Sequence, residues 1–191
     1  NNLAAAMALF ATFRSKAELT LQLHELCVAS ASIAHGIAKK TQHAPPSTAF
    51  VCGLLCEIGA MACLVFDGKE YVKLWQHASG DPQNRGELER ERYGVSSYEI
   101  GRRFLERNSL PPNVSAAVGA DLIKDPEQAD PLGKITVVAR HAPTAIARGV
   151  GQPDQLRAGL AELADRVKLP KLDGELLFDI CAKVGAFLAP T

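Results

Sequence analysis

The stretch Ala49-Phe-Val-Cys-Gly-Leu-Leu-Cys-Glu-Ile-Gly-Ala-Met-Ala-Cys-Leu-Val-Phe66 constrains this chain more than any other. A helix that is apolar nearly all round has no face to offer water, so it belongs at the centre of a core. A central helix must then be covered. The rest of the sequence supplies covering helices, because apolar residues recur at steps of three and four while runs that alternate apolar with polar are scarce. The expectation is an all-α, compact helical bundle with no sheet.

The boundaries follow from local signals. A first helix is expected over residues 2–14. A second runs through Leu19, Leu23, Leu26, Cys27, Ser30, Ile33, Ala34 and Ile37, which form one apolar stripe, and His43-Ala-Pro-Pro-Ser47 stops it. Ser47 or Thr48 is placed to cap the central helix. Phe66-Asp-Gly68 should break that helix before a restart over Lys69–Ala78, and Gly80-Asp-Pro82 marks a loop. The charged run Glu87–Arg92 reads as a solvated helix. Val95-Ser-Ser97 offers a cap for a helix reaching Asn108, and Leu110-Pro-Pro112 opens another to Lys124, since proline is tolerated in a first turn. Further helices are expected over 131–149, 155–168 and 173–188.

Charge narrows the partner. Lys plus Arg and Asp plus Glu both number 21, with no segment of one sign, so there is no electrostatic footprint for nucleic acid or an anionic membrane. A protein partner is expected. The opening Leu3–Phe13 is too short to span a bilayer and has neither a basic region before it nor a cleavage pattern after it, so no membrane insertion is expected. Cys27, Cys52, Cys56, Cys63 and Cys181 are an odd number of thiols in apolar surroundings, which suits a reducing, cytoplasmic location. A start at Asn1-Asn2 without methionine is expected of a sequence with residues upstream.

Beyond composition, the order of several motifs is informative. Ala49–Gly59 resembles a signature that reads Ala-Phe-x-x-Gly-Leu-Leu-His-Asp-Ile-Gly, with Cys56-Glu57 in place of His-Asp. Glu89-Arg-Glu-Arg-Tyr-Gly-Val-Ser-Ser-Tyr-Glu-Ile-Gly101 resembles Glu-x4-Gly-x-Asp-His-x-Glu-Val-Gly, and Asn108-Ser-Leu-Pro111 resembles Trp-x-Leu-Pro. Upstream, Glu25–Ala34 resembles a helix reading Arg-His-Ser-x-x-Val-Ala; downstream, Ala117–Asp121 resembles one ending in a His pair, and Leu132–Arg140 the helix that follows. Together these motifs resemble the HD-related output domains, degenerate relatives of the HD-superfamily metal phosphohydrolases. The resemblance implies an HD-like bundle over residues 1–150, starting at the last helix of the family's N-terminal lobe. Residues 151–191 are then a C-terminal helical extension packing on the same body.

Catalytic HD proteins hold metal ions with His and Asp side chains, and the metal lowers the pKa of bound water. At the matching positions this chain has Leu26, Cys56-Glu57, Ser97, the neighbourhood of Ala120-Asp121, and Arg140. Leucine has no lone pair and arginine brings a fixed positive charge, so the ligand set is broken. No catalytic residue, metal or cofactor is expected. Glu57 is costly to bury unpaired, and Arg140 is its natural partner by position in the resemblance. Glu57, Asp121, Arg140 and His141 are the candidates for answering a ligand or closing the old pocket, and His141 is the histidine to test for pH sensing. Cys52, Cys56 and Cys63 share one helix face, which invites a metal reading, but free cysteine packs as a small apolar residue and no CxxC pair is present.

The resemblance therefore implies a non-catalytic bacterial signal-transduction or regulatory domain acting through protein-protein interaction, within a signalling pathway. An alternative is a nucleotide or other ligand sensor in the degenerate pocket. A residual metal-dependent phosphohydrolase is the remote one.

Overall fold

The computed structural model describes residues 18–79, 81–121, 129–149 and 152–188, with isolated positions 4, 5, 7 and 8. Among the described residues every regular element is a helix, in the order α1 (Glu18–Thr41), α2 (Pro46–Leu55), α3 (Ile58–His77), α4 (Pro82–Tyr93), α5 (Ser97–Arg107), α6 (Pro112–Val118), α7 (Pro131–Arg148), α8 (Pro153–Val167) and α9 (Gly174–Leu188). The all-α bundle expected from periodicity is the fold observed. The helix expected over residues 2–14 falls almost wholly outside the described residues, as does Lys124.

The long apolar stretch is two helices. The chain turns at Cys56-Glu57, so α2 and α3 meet end to end where the sequence suggested one rod. The cap at the start of α2 is also different: Pro45 takes the N-cap position and Pro46 the first turn, with no side-chain cap from Ser47 or Thr48. At Gly68 the break expected from Phe66-Asp-Gly68 becomes a kink within α3, with φ of 39° and ψ of −109°. The core is not uniform along this stretch. Residues up to Cys63 are mostly buried, whereas Val65 and Phe66 are 75% and 87% exposed. The Pro46–His77 stretch is apolar enough to cross a membrane by composition, with a mean hydropathy of 2.2 in its best window, yet 72% of that window is buried inside the fold.

α2 lies against α1 and α7, α3 against α5, and α8 and α9 close on α7 and α1. One hydrophobic cluster joins α1, α2, α6, α7, α8 and α9; a second joins the first half of α1 to α3, with Trp75, Tyr93 and Ile100 at its edge. Two glycines set the closest approaches. A Cβ on Gly53 would sit 2.5 Å from the Ser30 carbonyl, and one on Gly59 would sit 1.8 Å from the Ser97 carbonyl, so only glycine lets α2 meet α1 and α3 meet α5 at these distances.

Several of the remaining termini follow their sequence signals. The Asp81 side chain accepts from the Gln83 and Asn84 amides at the start of α4, and Gly94 ends that helix with φ of 73°. Ser96 caps α5 by accepting from the Glu99 amide, and Asp130 caps α7 by accepting from Gly133. α6 stops at Val118, short of the helix to Lys124 expected from sequence.

Candidate functional site

α4 was expected to be solvated along its charged run, and its outer face is. Its inner face is Pro82, Arg85, Gly86 and Glu89, all buried. That spacing is one helical stripe, and two of its four members carry full charges. A buried charge is tolerable only when paired and hydrogen-bonded, and both are.

Arg85 Nη2 donates to Glu57 Oε2 at 2.7 Å, and its Nε lies 3.5 Å from Glu89 Oε1. Glu89 in turn accepts from the Tyr71 hydroxyl at 2.6 Å through Oε1 and from the Ser97 amide at 2.6 Å through Oε2. The Arg85 guanidinium also stacks on the Trp75 ring at 4.6 Å, with Tyr98 at 5.5 Å. Burial works against the charge of Arg85, but Glu57, Tyr98, Tyr71 and Glu89 outweigh it and hold the group firmly ionised. Burial likewise pushes the Tyr71 and Tyr98 phenols up, so both are neutral donors. The Tyr98 hydroxyl donates to the Pro82 carbonyl, tying α5 to the start of α4. The turn at Cys56-Glu57 makes this network possible, because it carries Glu57 out of the apolar rod toward α4.

The partner of Glu57 is therefore Arg85 and not Arg140, which corrects the pairing expected from sequence. Arg140 points elsewhere: Nη1 donates to the Ala120 carbonyl at 2.7 Å, Nη2 to the Val118 carbonyl, and the guanidinium stacks on Tyr98 at 4.2 Å. It satisfies the carbonyls that the short helix α6 leaves at its C-terminal end. Asp121 pairs with Arg90, which also reaches the Ser96 hydroxyl at 3.4 Å. Ser97 gives its amide to Glu89, while its own hydroxyl is buried without a hydrogen-bond partner. Leu26 is half-buried on α1. Next to it, burial pushes the Cys27 thiol up, while its neighbour Cys56 is held down by Cys27. Burial pushes Cys52 and Cys63 to about 12, in keeping with inert packing.

Thus the structure brings Glu57, Ser97, Arg140 and Cys56 to one buried region, with Arg140 and Glu57 linked through Tyr98 and Arg85 instead of directly. His141 lies at the edge of this region, where it lines a cleft between the start of α4, α7 and α8. Burial and the nearby Arg140, Arg85 and Arg166 push its imidazole down to about 3, so it is neutral across the physiological range and does not suit the pH-sensing role considered from sequence. Sequence reasoning missed Arg85, Glu89, Tyr71, Trp75 and Tyr98. The signal was present as the 82, 85, 86, 89 spacing, but hydropathy hides a buried stripe made of charges.

The residues present do not suit a divalent metal. Both carboxylates of the cluster are engaged by Arg85, Tyr71 and the Ser97 amide, two guanidiniums share the region, and among the described residues no three His, Cys, Asp or Glu side chains gather as a ligand set.

A family model for the HDOD domain matches residues 1–121. The fold is similar to that of a candidate phosphohydrolase from Shewanella amazonensis SB2B, solved by crystallography. The TM-score is 0.72 over 98% of this chain and 71% of that one, at 22% sequence identity, a likeness of fold. No curated protein is similar enough to the chain to count as a match.

Proposed function

From the premise that the chain belongs to the HDOD domain family, we propose that it is a non-catalytic regulatory domain of bacterial signal transduction, working in the cytoplasm by binding a protein partner. The observation that carries this reading is the engagement of Glu57 and Glu89 by Arg85, Tyr71 and the Ser97 amide. General acid-base or metal-assisted chemistry needs a carboxylate or imidazole directed at a substrate or a metal ligand set, and this region offers neither. The same pairing argues against a ligand sensor built on Glu57, Asp121 and Arg140, because each already has an internal partner. Five free, buried cysteines suit a reducing compartment.

For a protein partner, the supporting feature is the exposed pair Val65 and Phe66 beside an apolar groove of about 410 Å3 lined by Ala62, Cys63, Tyr93, Val95 and Ile100. Large apolar side chains left exposed together mark interaction surfaces more often than isolated ones do. The test is complementation of a deletion strain by variants of the full-length protein. Phe66→Asp should fold normally and lose signalling output, whereas Glu57→Gln should lose output only in proportion to its loss of folded protein. A Phe66→Asp protein with full output, together with a folded but silent Glu57→Gln, would overturn the reading.

A further inference from the structure

The cleft lined by His141 adjoins the paired cluster at Pro82 but is differently built. It has a volume of about 290 Å3 and lies between the start of α4, the second half of α7 and the outer face of α8. Two of its walls carry guanidiniums. Arg148, the last residue of α7, reaches the Ser79 carbonyl at 3.4 Å and Asp81 Oδ2 at 3.5 Å, while Arg166 on α8 donates to Gln83 Oε1 at 3.1 Å. These contacts anchor each fork at one edge and are long or neutral. Arginine has five N–H donors in a planar fork, so donors are left to turn toward the cleft. Of the carboxylates nearby, Asp81 is already the cap of α4 through Oδ1, and Glu162 stands exposed at the rim.

The floor is apolar, formed by Ala145, Leu156 and Leu163, with Gly159 beside them. Gly159 sits inside α8, where glycine costs about 1 kcal/mol relative to alanine. No atom lies within 4 Å of where its Cβ would be, so packing does not require glycine there. What the missing side chain does is keep the cleft open. His141 adds a neutral ring that can exchange hydrogen bonds without adding charge, and Arg166 is among the groups that keep it neutral, which places positive potential at the inner wall.

We propose that this cleft binds a small phosphate ester of mononucleotide size or less, with Arg148 and Arg166 gripping the phosphate and the Leu156-Gly159-Leu163 floor taking the organic part. Two forks arriving from different helices suit the three terminal oxygens of a phosphate monoester, whereas one fork satisfies a carboxylate in bidentate fashion. The volume lies near the lower end of small-molecule sites, which run from about 300 Å3 upward. The proposal gives the domain an input surface distinct from both the paired cluster and the apolar groove.

Titration of the full chain with adenosine monophosphate, adenosine and succinate, followed by calorimetry and by the His141 imidazole resonances, tests it. Adenosine monophosphate should bind and move the His141 resonances. Adenosine, and the variants Arg166→Gln and Arg148→Gln, should bind at least about tenfold more weakly, and Arg103→Gln on the exposed face of α5 should change nothing. Gly159→Leu, whose Cβ would have no atom within 4 Å, should fold and block binding; it keeps the test decisive if an arginine variant unfolds. Equal binding of adenosine, a preference for succinate, unchanged binding by Arg166→Gln, or no response to adenosine monophosphate up to about 10 mM would overturn the proposal.

Discussion

Arg85 and Arg148 are the same side chain in opposite settings, and the contrast separates what this fold has closed from what it has left open. Arg85 is 3% exposed, lies 2.7 Å from one carboxylate and 3.5 Å from another, and is covered by Trp75. Arg148 is 55% exposed and holds its one carboxylate at 3.5 Å. A guanidinium in the first setting is part of the architecture, because removing it strands buried charge. In the second it is a solvated cation whose local pairing is worth little, and it remains available to an incoming anion. The buried region that gathers Glu57, Ser97 and Arg140 belongs to the first kind. The cleft beside it belongs to the second.

The comparison breaks most readily at the contact that holds the closed region together. Gly59→Val would place a Cβ 1.8 Å from the Ser97 carbonyl, forcing α3 off α5, and should cost more than about 4 kcal/mol or prevent folding. Urea titration, or failure to recover soluble protein, reads it; a normally stable variant would mean that α3 and α5 do not meet as described. A smaller loss is expected from Tyr98→Phe, which keeps the ring under Arg140 but deletes the hydroxyl between Pro82 and Arg85. About 1–3 kcal/mol is the expected cost of leaving the Pro82 carbonyl without its donor.

At the boundary between the two regions, His141 makes stability depend on pH. Its folded pKa, about 3, lies below the ordinary value of 6.5, so between those limits the unfolded chain binds the extra proton. Stability from this residue is complete above pH 6.5 and declines as pH falls toward 3, by at most about 1.4 kcal/mol per pH unit. His141→Asn should flatten the profile in that window relative to the parent. An unchanged slope would show an imidazole that titrates in water. The smallest expected effect is that of metal: Mn2+ or Zn2+ should leave the unfolding midpoint where it is, whereas a hundredfold excess over Kd would add about 2.7 kcal/mol if a site existed.

The sequence was most legible where apolar spacing and punctuation agree. The stripe from Leu19 to Ile37, the loop at Asp81-Pro82, the cap within Val95-Ser-Ser97, the start at Pro112 and the helix expected from 131 lie close to the observed limits. It was less legible where the decisive geometry is a single turn. Nothing in Leu55-Cys-Glu-Ile58 lacks helix propensity, yet the chain turns there, because Glu57 gains Arg85 as a partner 28 positions away and tertiary pairing overrides local preference. For the same reason Arg140 looked like the natural partner of Glu57. Sequence order places both near one pocket but does not say that a buried arginine just ahead of the charged run arrives first. The cleft was illegible for a simpler reason: Asp81, His141, Arg148, Gly159 and Arg166 come from three helices, and no linear motif joins them.

Equilibrium unfolding of Arg85→Ala beside Arg148→Ala tests the central claim most directly. If the cluster is closed architecture and the cleft an open surface, Arg85→Ala should lose about 3–5 kcal/mol, and Arg148→Ala under about 1 kcal/mol. Equal losses in the two variants, or an Arg85→Ala protein as stable as its parent, would contradict it.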